Sequence, residues 1–113
     1  MDVERVSLTL PGTALGEAHE GSAAVVVGAK QFARLRWDDH HAEVLQVWVA
    51  DPALVDAVVA EDPEHRWGAR GFSRYVVMVR LSSPDATALR ELLVESWAAR
   101  APARLRKAHA DIR

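Results

Sequence analysis

The sequence predicts an α+β fold: a two-layer sandwich with an antiparallel sheet of four to five strands and its helices on one face. Three observations predict it. Apolar residues recur with helical spacing near both ends of the chain and once in the middle, and with strand spacing in between. The first group of strand-like segments is joined by "GAK" (28–30) and "DDHH" (38–41), connections too short for crossovers, so those strands run antiparallel. The helical segments stand apart from the runs of strands instead of alternating with them one by one. The element order read from the chain is α-β-β-β-α-β-β-α-α.

Each element has its own signal. Val3, Val6 and Leu10 lie at helical spacing behind Asp2, a candidate N-cap, and Pro11-Gly12 ends that segment, which predicts a helix near 3–10. Residues 13–21 read as a loop. "SAAVVVG" (22–28) is a β-branched run, and "QFARLRWD" (31–38) alternates with the strand period. "AEVLQVWVA" (42–50) is the third strand, and three strands with short turns make a meander. Asp51 followed by Pro52 is a cap and first-turn pair, and Leu54, Val55, Val58 and Val59 form one stripe, so 52–61 is helical until "EDPEH" breaks it. His65–Trp67 reads as a short strand, "GARG" (68–71) as a turn and "SRYVVMVRL" (73–81) as a strong strand. Ser83-Pro84-Asp85 opens the longest helix, 84–100, which carries Leu89, Leu92, Leu93 and Trp97 on one side. Pro102 interrupts it, and 103–113 forms a short last helix.

Composition bounds the function. The chain has 113 residues, 50% of them hydrophobic and 27% charged, the profile of one folded domain spanning 1–113. No apolar run approaches the roughly 18 residues of a membrane span, and "MDVERV" has no apolar core of a secretory signal. Without cysteine there is no disulfide, thiol nucleophile or thiolate metal site, and a cytoplasmic location is expected. The formal net charge is -2, and residues 38–64 carry eight acids with no Lys or Arg. Such a mixed field steers a polyanion poorly. There is no Ser-His-Asp order, P-loop, H-E-x-x-H or dinucleotide fingerprint. The expectation is a binding protein, not an enzyme, with no cofactor and no metal.

Strand periodicity sorts the side chains by face. Ala33, Leu35, Leu45, Val47, Val49, Val77, Val79 and Leu81 share the side that meets the helices. The opposite side, expected to be open, receives Phe32, Arg34, Arg36, Val44, Gln46, Trp48, Arg74, Val76, Met78 and Arg80. Four arginines (Arg34, Arg36, Arg74, Arg80) interleaved with Phe32 and Trp48 are the composition of a surface that meets phosphates and stacks bases. The same residue types suit a homodimer or a protein partner, and arginines on a sheet also pair with neighbouring acids.

"GARG" fits the GXXG pattern of a KH loop but precedes a strand, where a KH loop joins two helices. It is read as a turn, with Arg66, Gly68, Arg70 and Gly71 as a candidate loop for a small anion. His40 and His41 are adjacent and point to opposite faces, so "DDHH" is a solvated turn before it is a metal cluster. His19 and Glu20 fall in the first loop. Arg100, Arg104, Arg106, Lys107 and Arg113 make the C-terminus basic, as suits helix C-termini.

The segments "LPG" (10–12), "GAKQFARL" (28–35), "AEDP" (60–63), "WGARGF" (67–72), "LRELLVESW" (89–97) and "APARL" (101–105), in this order and spacing, resemble the MmcQ/YjbR-like family over nearly the whole chain. The resemblance implies a compact α+β domain similar to the CyaY-like and secretion-chaperone folds. It also implies DNA binding, the label its members commonly carry, and no catalytic residues. The chain departs from the family in its first strand, where a Pro and an aromatic often stand and this sequence has "GSAAVVV".

Overall fold

The computed structural model describes residues 3–17, 23–40, 42–69, 71–82 and 85–112. Several residues singled out above lie outside them: Asp2, His19, Glu20, His41, Arg70, Ser83, Pro84 and Arg113. The architecture is α+β, with an antiparallel sheet of six strands and four α-helices. In chain order the elements are α1 (Val3–Ser7), β1 (Thr13–Glu17), β2 (Ala23–Val27), β3 (Lys30–Trp37), β4 (Glu43–Trp48), α2 (Leu54–Ala60), β5 (Arg66–Ala69), β6 (Ser73–Arg80), α3 (Ala86–Arg100) and α4 (Ala103–Ala108). A 3-10 turn at Ala110–Ile112 follows.

The sheet order is β1-β2-β3-β4-β6-β5. Four strands form the meander, one more than expected. The extra strand, β1, falls in the segment read as a loop and pairs along its whole length with β2, from Thr13 opposite Val27 to Glu17 opposite Ala23. "TALGE" has little strand character of its own, and pairing with a strong neighbour decides its conformation. A two-residue turn at Gly28-Ala29 joins β2 to β3, and Gly28 takes a φ of 61° there, the left-handed geometry that tight hairpins place on glycine. The strand β6 runs antiparallel to β4 and to β5, so β4 and β5 are parallel with β6 between them.

Helices cover the side that strand period assigned to the core. Leu45, Val47, Val77, Val79 and Ala33 are buried in one cluster with Leu89, Leu92, Leu93 and Trp97 of α3 and Val55 of α2. The helix α3 lies across β3 and β4, α2 covers β5 and β6, and α1 packs against α3 and β2. The Asp85 carboxylate caps α3 by accepting from the Ala88 N–H at 2.7 Å. Ala101 is extended (ψ 147°) before Pro102, which ends that helix where the sequence predicts. The indole N–H of Trp97 donates to the Pro11 carbonyl at 2.9 Å and pins the α1–β1 turn to the helix layer.

One irregularity alters the face assignment. Val25 pairs with Ala33 and Val26 with Gln31, which leaves Phe32 as the extra residue of a β-bulge. Phe32 therefore turns inward with Ala33, and it lies fully buried in the core instead of on the outer face. The bulge also breaks the β3–β4 ladder beyond Ala33–Val47. Ser96 of α3 fills the break: its hydroxyl donates to the Phe32 carbonyl and accepts from the Trp48 N–H at 2.9 Å.

Candidate binding face of the sheet

The outer face is built from cross-strand rows. One row runs Trp67, Met78, Gln46, Arg34, Ala24, Gly16 from β5 to β1, and the next holds Arg80, Val44 and Arg36. Its middle is not open. Gln46 is 1% exposed and Arg34 9%, and Val44, Val76 and Ala24 are also buried.

Arg36 and Arg80 flank Val44 in the second row. The Arg36 Nη1 donates to the Gln46 Oε1 at 2.9 Å, and its guanidinium lies 5.7 Å from the centre of the Phe72 ring. Phe72, 61% exposed, sits in the β5–β6 turn, so that hairpin tip ends over the outer face. The Arg80 guanidinium lies 4.9 Å from the centre of the Trp67 ring and is ion-paired with Asp38. Two cations thus stand on two aromatic rings on either side of Val44.

Asp38 anchors the β3–β4 turn as well. Its Oδ1 accepts from the N–H groups of His40 at 2.8 Å and Ala42 at 3.0 Å. These bonds, the Ala42 N–H first, then Arg80, then the His40 N–H, hold the Asp38 carboxyl below the usual carboxylate range. A lowered folded-state pKa stabilises the fold above the unfolded value of about 3.9, and that contribution disappears as pH falls through the folded value. Asp38→Asn is therefore expected to melt below wild type near neutrality, with the two curves converging below about pH 4. Urea midpoints across that range check it; a gap independent of pH would assign the loss to the turn, not to the charge.

The other predicted site residues are elsewhere. Arg74 is exposed and borders a cleft with Pro52 and Asp56 at the start of α2, with Tyr75 as its ring partner at 5.9 Å. The Trp48 ring is covered by Arg100 from the last turn of α3, 4.7 Å away, and Arg100 Nε donates to the Gln31 carbonyl. Burial keeps the Arg100 pKa below its ordinary value. Of the candidate anion loop, Arg66, Gly68 and Gly71 lie among the described residues. Gly68 lies in strand β5, with Val55 against the space its Cβ would fill. Arg66 is buried on the helix side, where its Nη1 donates to the Val58 carbonyl at 2.8 Å and to Glu61 at 3.2 Å. It caps the C-terminal end of α2. Gly71 is exposed in the turn.

Of the six residues proposed for one surface, Arg34, Arg36 and Arg80 come together. Gln46, placed on this side by strand period, lies between Arg34 and Met78; the residues that complete the surface, Trp67, Phe72 and Asp38, follow from the β5–β6 register and the β3–β4 turn. The exposed aromatic Phe72 beside a glycine was the one sequence signal for them. Among the described residues no group of three or more His, Asp or Glu is placed to hold a metal ion, and no helix is long and apolar enough to cross a membrane.

An antiparallel sheet with helices on one side and an arginine-aromatic layer on the other defines an α+β protein whose outer sheet face is its most distinctive surface. The chain belongs to the YjbR family, whose sequence profile matches residues 8–99. In structure it is similar to the Deinococcus radiodurans protein DR2400, which carries a DUF419 domain. The TM-score is 0.73 at 19% identity, over 95% of this chain and 84% of that one. That likeness concerns the fold. No curated protein matches the chain in sequence.

Proposed function

We propose that the chain is a non-enzymatic cytoplasmic binding domain that takes single-stranded nucleic acid on the outer face of its sheet. The observation that carries this reading is the pair of stacked cations, Arg36 on Phe72 and Arg80 on Trp67, on either side of Val44. Guanidinium groups meet phosphates, and rings beside them receive unpaired bases. The pair is narrower than the four-arginine surface read from the sequence, because Arg74 sits by α2 and Arg34 is buried in the middle of the face.

Two engaged arginines imply weak binding, with a log-log salt slope of about -1.4 on single strands. Anisotropy of a labelled single-stranded oligonucleotide across a salt series tests it. Phe72→Ala is expected to cost roughly 5- to 100-fold in affinity for single strands and little for duplex. Arg80→Ala should make the slope shallower by about 0.7, and Arg74→Ala should leave it unchanged. No binding at low ionic strength by a folded wild type sinks the reading.

A second reading has its own support: Arg80 is already neutralised by Asp38, and Phe72 is largely exposed. Both suit a second copy of the chain packed on this face. A mass that rises with concentration, and falls back in Phe72→Ala, identifies that case.

A further inference from the structure

On the helix side, α2 and α3 stand apart over the end of β4 and leave a groove of about 380 Å³. Its lining is mostly apolar, with Val58 and Leu54 from α2, Leu92 from α3 and Val49 beneath. Leu54 stands exposed at the mouth, a large apolar side chain left uncovered. Among the described residues that line it, the charged ones are Glu61, Glu91, Glu95 and Arg66. Arg66 is buried and already engaged with Glu61 and the α2 carbonyl of Val58. Glu91 and Glu95 lie one helical turn apart on α3, both exposed. The groove is therefore an apolar trough with an anionic edge.

We infer that this groove docks a basic amphipathic helix of a partner protein. Charge complementarity selects the occupant. Apolar side chains at i and i+3 or i+4 of such a helix enter between α2 and α3, and Lys or Arg one turn apart on its flank meets Glu91 and Glu95. A trough bounded by two helices accepts a third at ordinary interhelical distance. The acids steer and orient the incoming helix, and the apolar floor holds it. The site lies on the layer opposite the arginine face and does not depend on what that face binds.

The test uses a fluorescent helical peptide of leucine and lysine, patterned with leucine at i, i+3, i+4 and i+7, and a counterpart with glutamate in place of lysine. The lysine peptide is expected to bind the full chain saturably, and the glutamate peptide at least about tenfold more weakly. Ala57→Trp, which fills the groove from an exposed position on α2, should abolish binding. Glu91→Lys with Glu95→Lys should weaken it about tenfold or more, with unchanged thermal melting showing that both variants fold. Phe72→Ala should bind the peptide like wild type, which separates this site from the nucleic-acid reading. Equal binding of the two peptides, or binding retained in folded Ala57→Trp, overturns the proposal. So does self-association without peptide that disappears in Ala57→Trp, since a second copy would then occupy the groove.

Discussion

Val77→Asp is expected to leave the chain unfolded in buffer that keeps the wild type native. Val77 is 0% exposed and sits in mid-sheet on the helix side, opposite Val47 on β4 and Gly68 on β5. An ionised carboxylate there loses its hydration, and even its neutral form must bury a polar group at a cost of several kcal/mol. Folded proteins of this size hold about 5–15 kcal/mol in all, so the substitution takes most of it. Leu15→Asp is the control. Leu15 has the same strand parity but is 59% exposed on the edge strand β1, and the change is expected to stay within about 0.5 kcal/mol. Circular dichroism and thermal melting check both. A cooperative melt by Val77→Asp would place Val77 on the wrong face.

Ser96→Ala is the second large expected effect, out of proportion to the single oxygen removed. The hydroxyl is fully buried and serves two backbone groups at once, the Phe32 carbonyl and the Trp48 N–H. Removing it strands both where the bulge has taken away their strand partners. Each buried unsatisfied group costs about 1–3 kcal/mol, so the expected loss is about 2–6 kcal/mol. Ser7 is the converse case. It is equally buried, and among the described residues its Oγ has no hydrogen-bond partner. Ser7→Ala should be neutral or slightly stabilising. Urea midpoints of the two variants against wild type measure the contrast. Equal effects would mean that Ser96 contributes only its volume.

The contrast between these serines shows where sequence reading stops. Both stand in helices with nothing in their neighbours to distinguish them; only the bulge in the sheet beneath Ser96 does. The helices and the core side of β3, β4 and β6 were legible because Leu89, Leu92, Leu93 and Trp97, and Leu45, Val47, Val77 and Val79, repeat at clean periods. The strand β1 was not, because Thr13–Glu17 owes its conformation to its partner. Phe32 was misplaced because strict alternation admits no extra residue, although two apolar residues together, Phe32 and Ala33, break the alternation. For the binding face, Arg34, Arg36 and Arg80 could be grouped by parity. Trp67 could not, because Gly68 pairs with Val77 and Ala69 with Ser73, a register shift that no residue type announces.

The strand order has a kinetic consequence. The strands β1 to β4 are joined by connections of few residues, so their pairing closes small loops and carries little entropic cost. The β4–β6 ladder is different, because α2 and β5 must be set aside before Val44 can face Arg80. Contacts so distant along the chain form after a large loss of freedom and slow a fold out of proportion to their number. The meander and the unit of α2 with the β5–β6 hairpin are then two halves that organise locally, and their joining along β4 is the barrier. Substitutions that weaken the β3–β4 turn, formed before that barrier, would slow refolding and leave unfolding nearly untouched; those along the β4–β6 seam would be shared between the two rates.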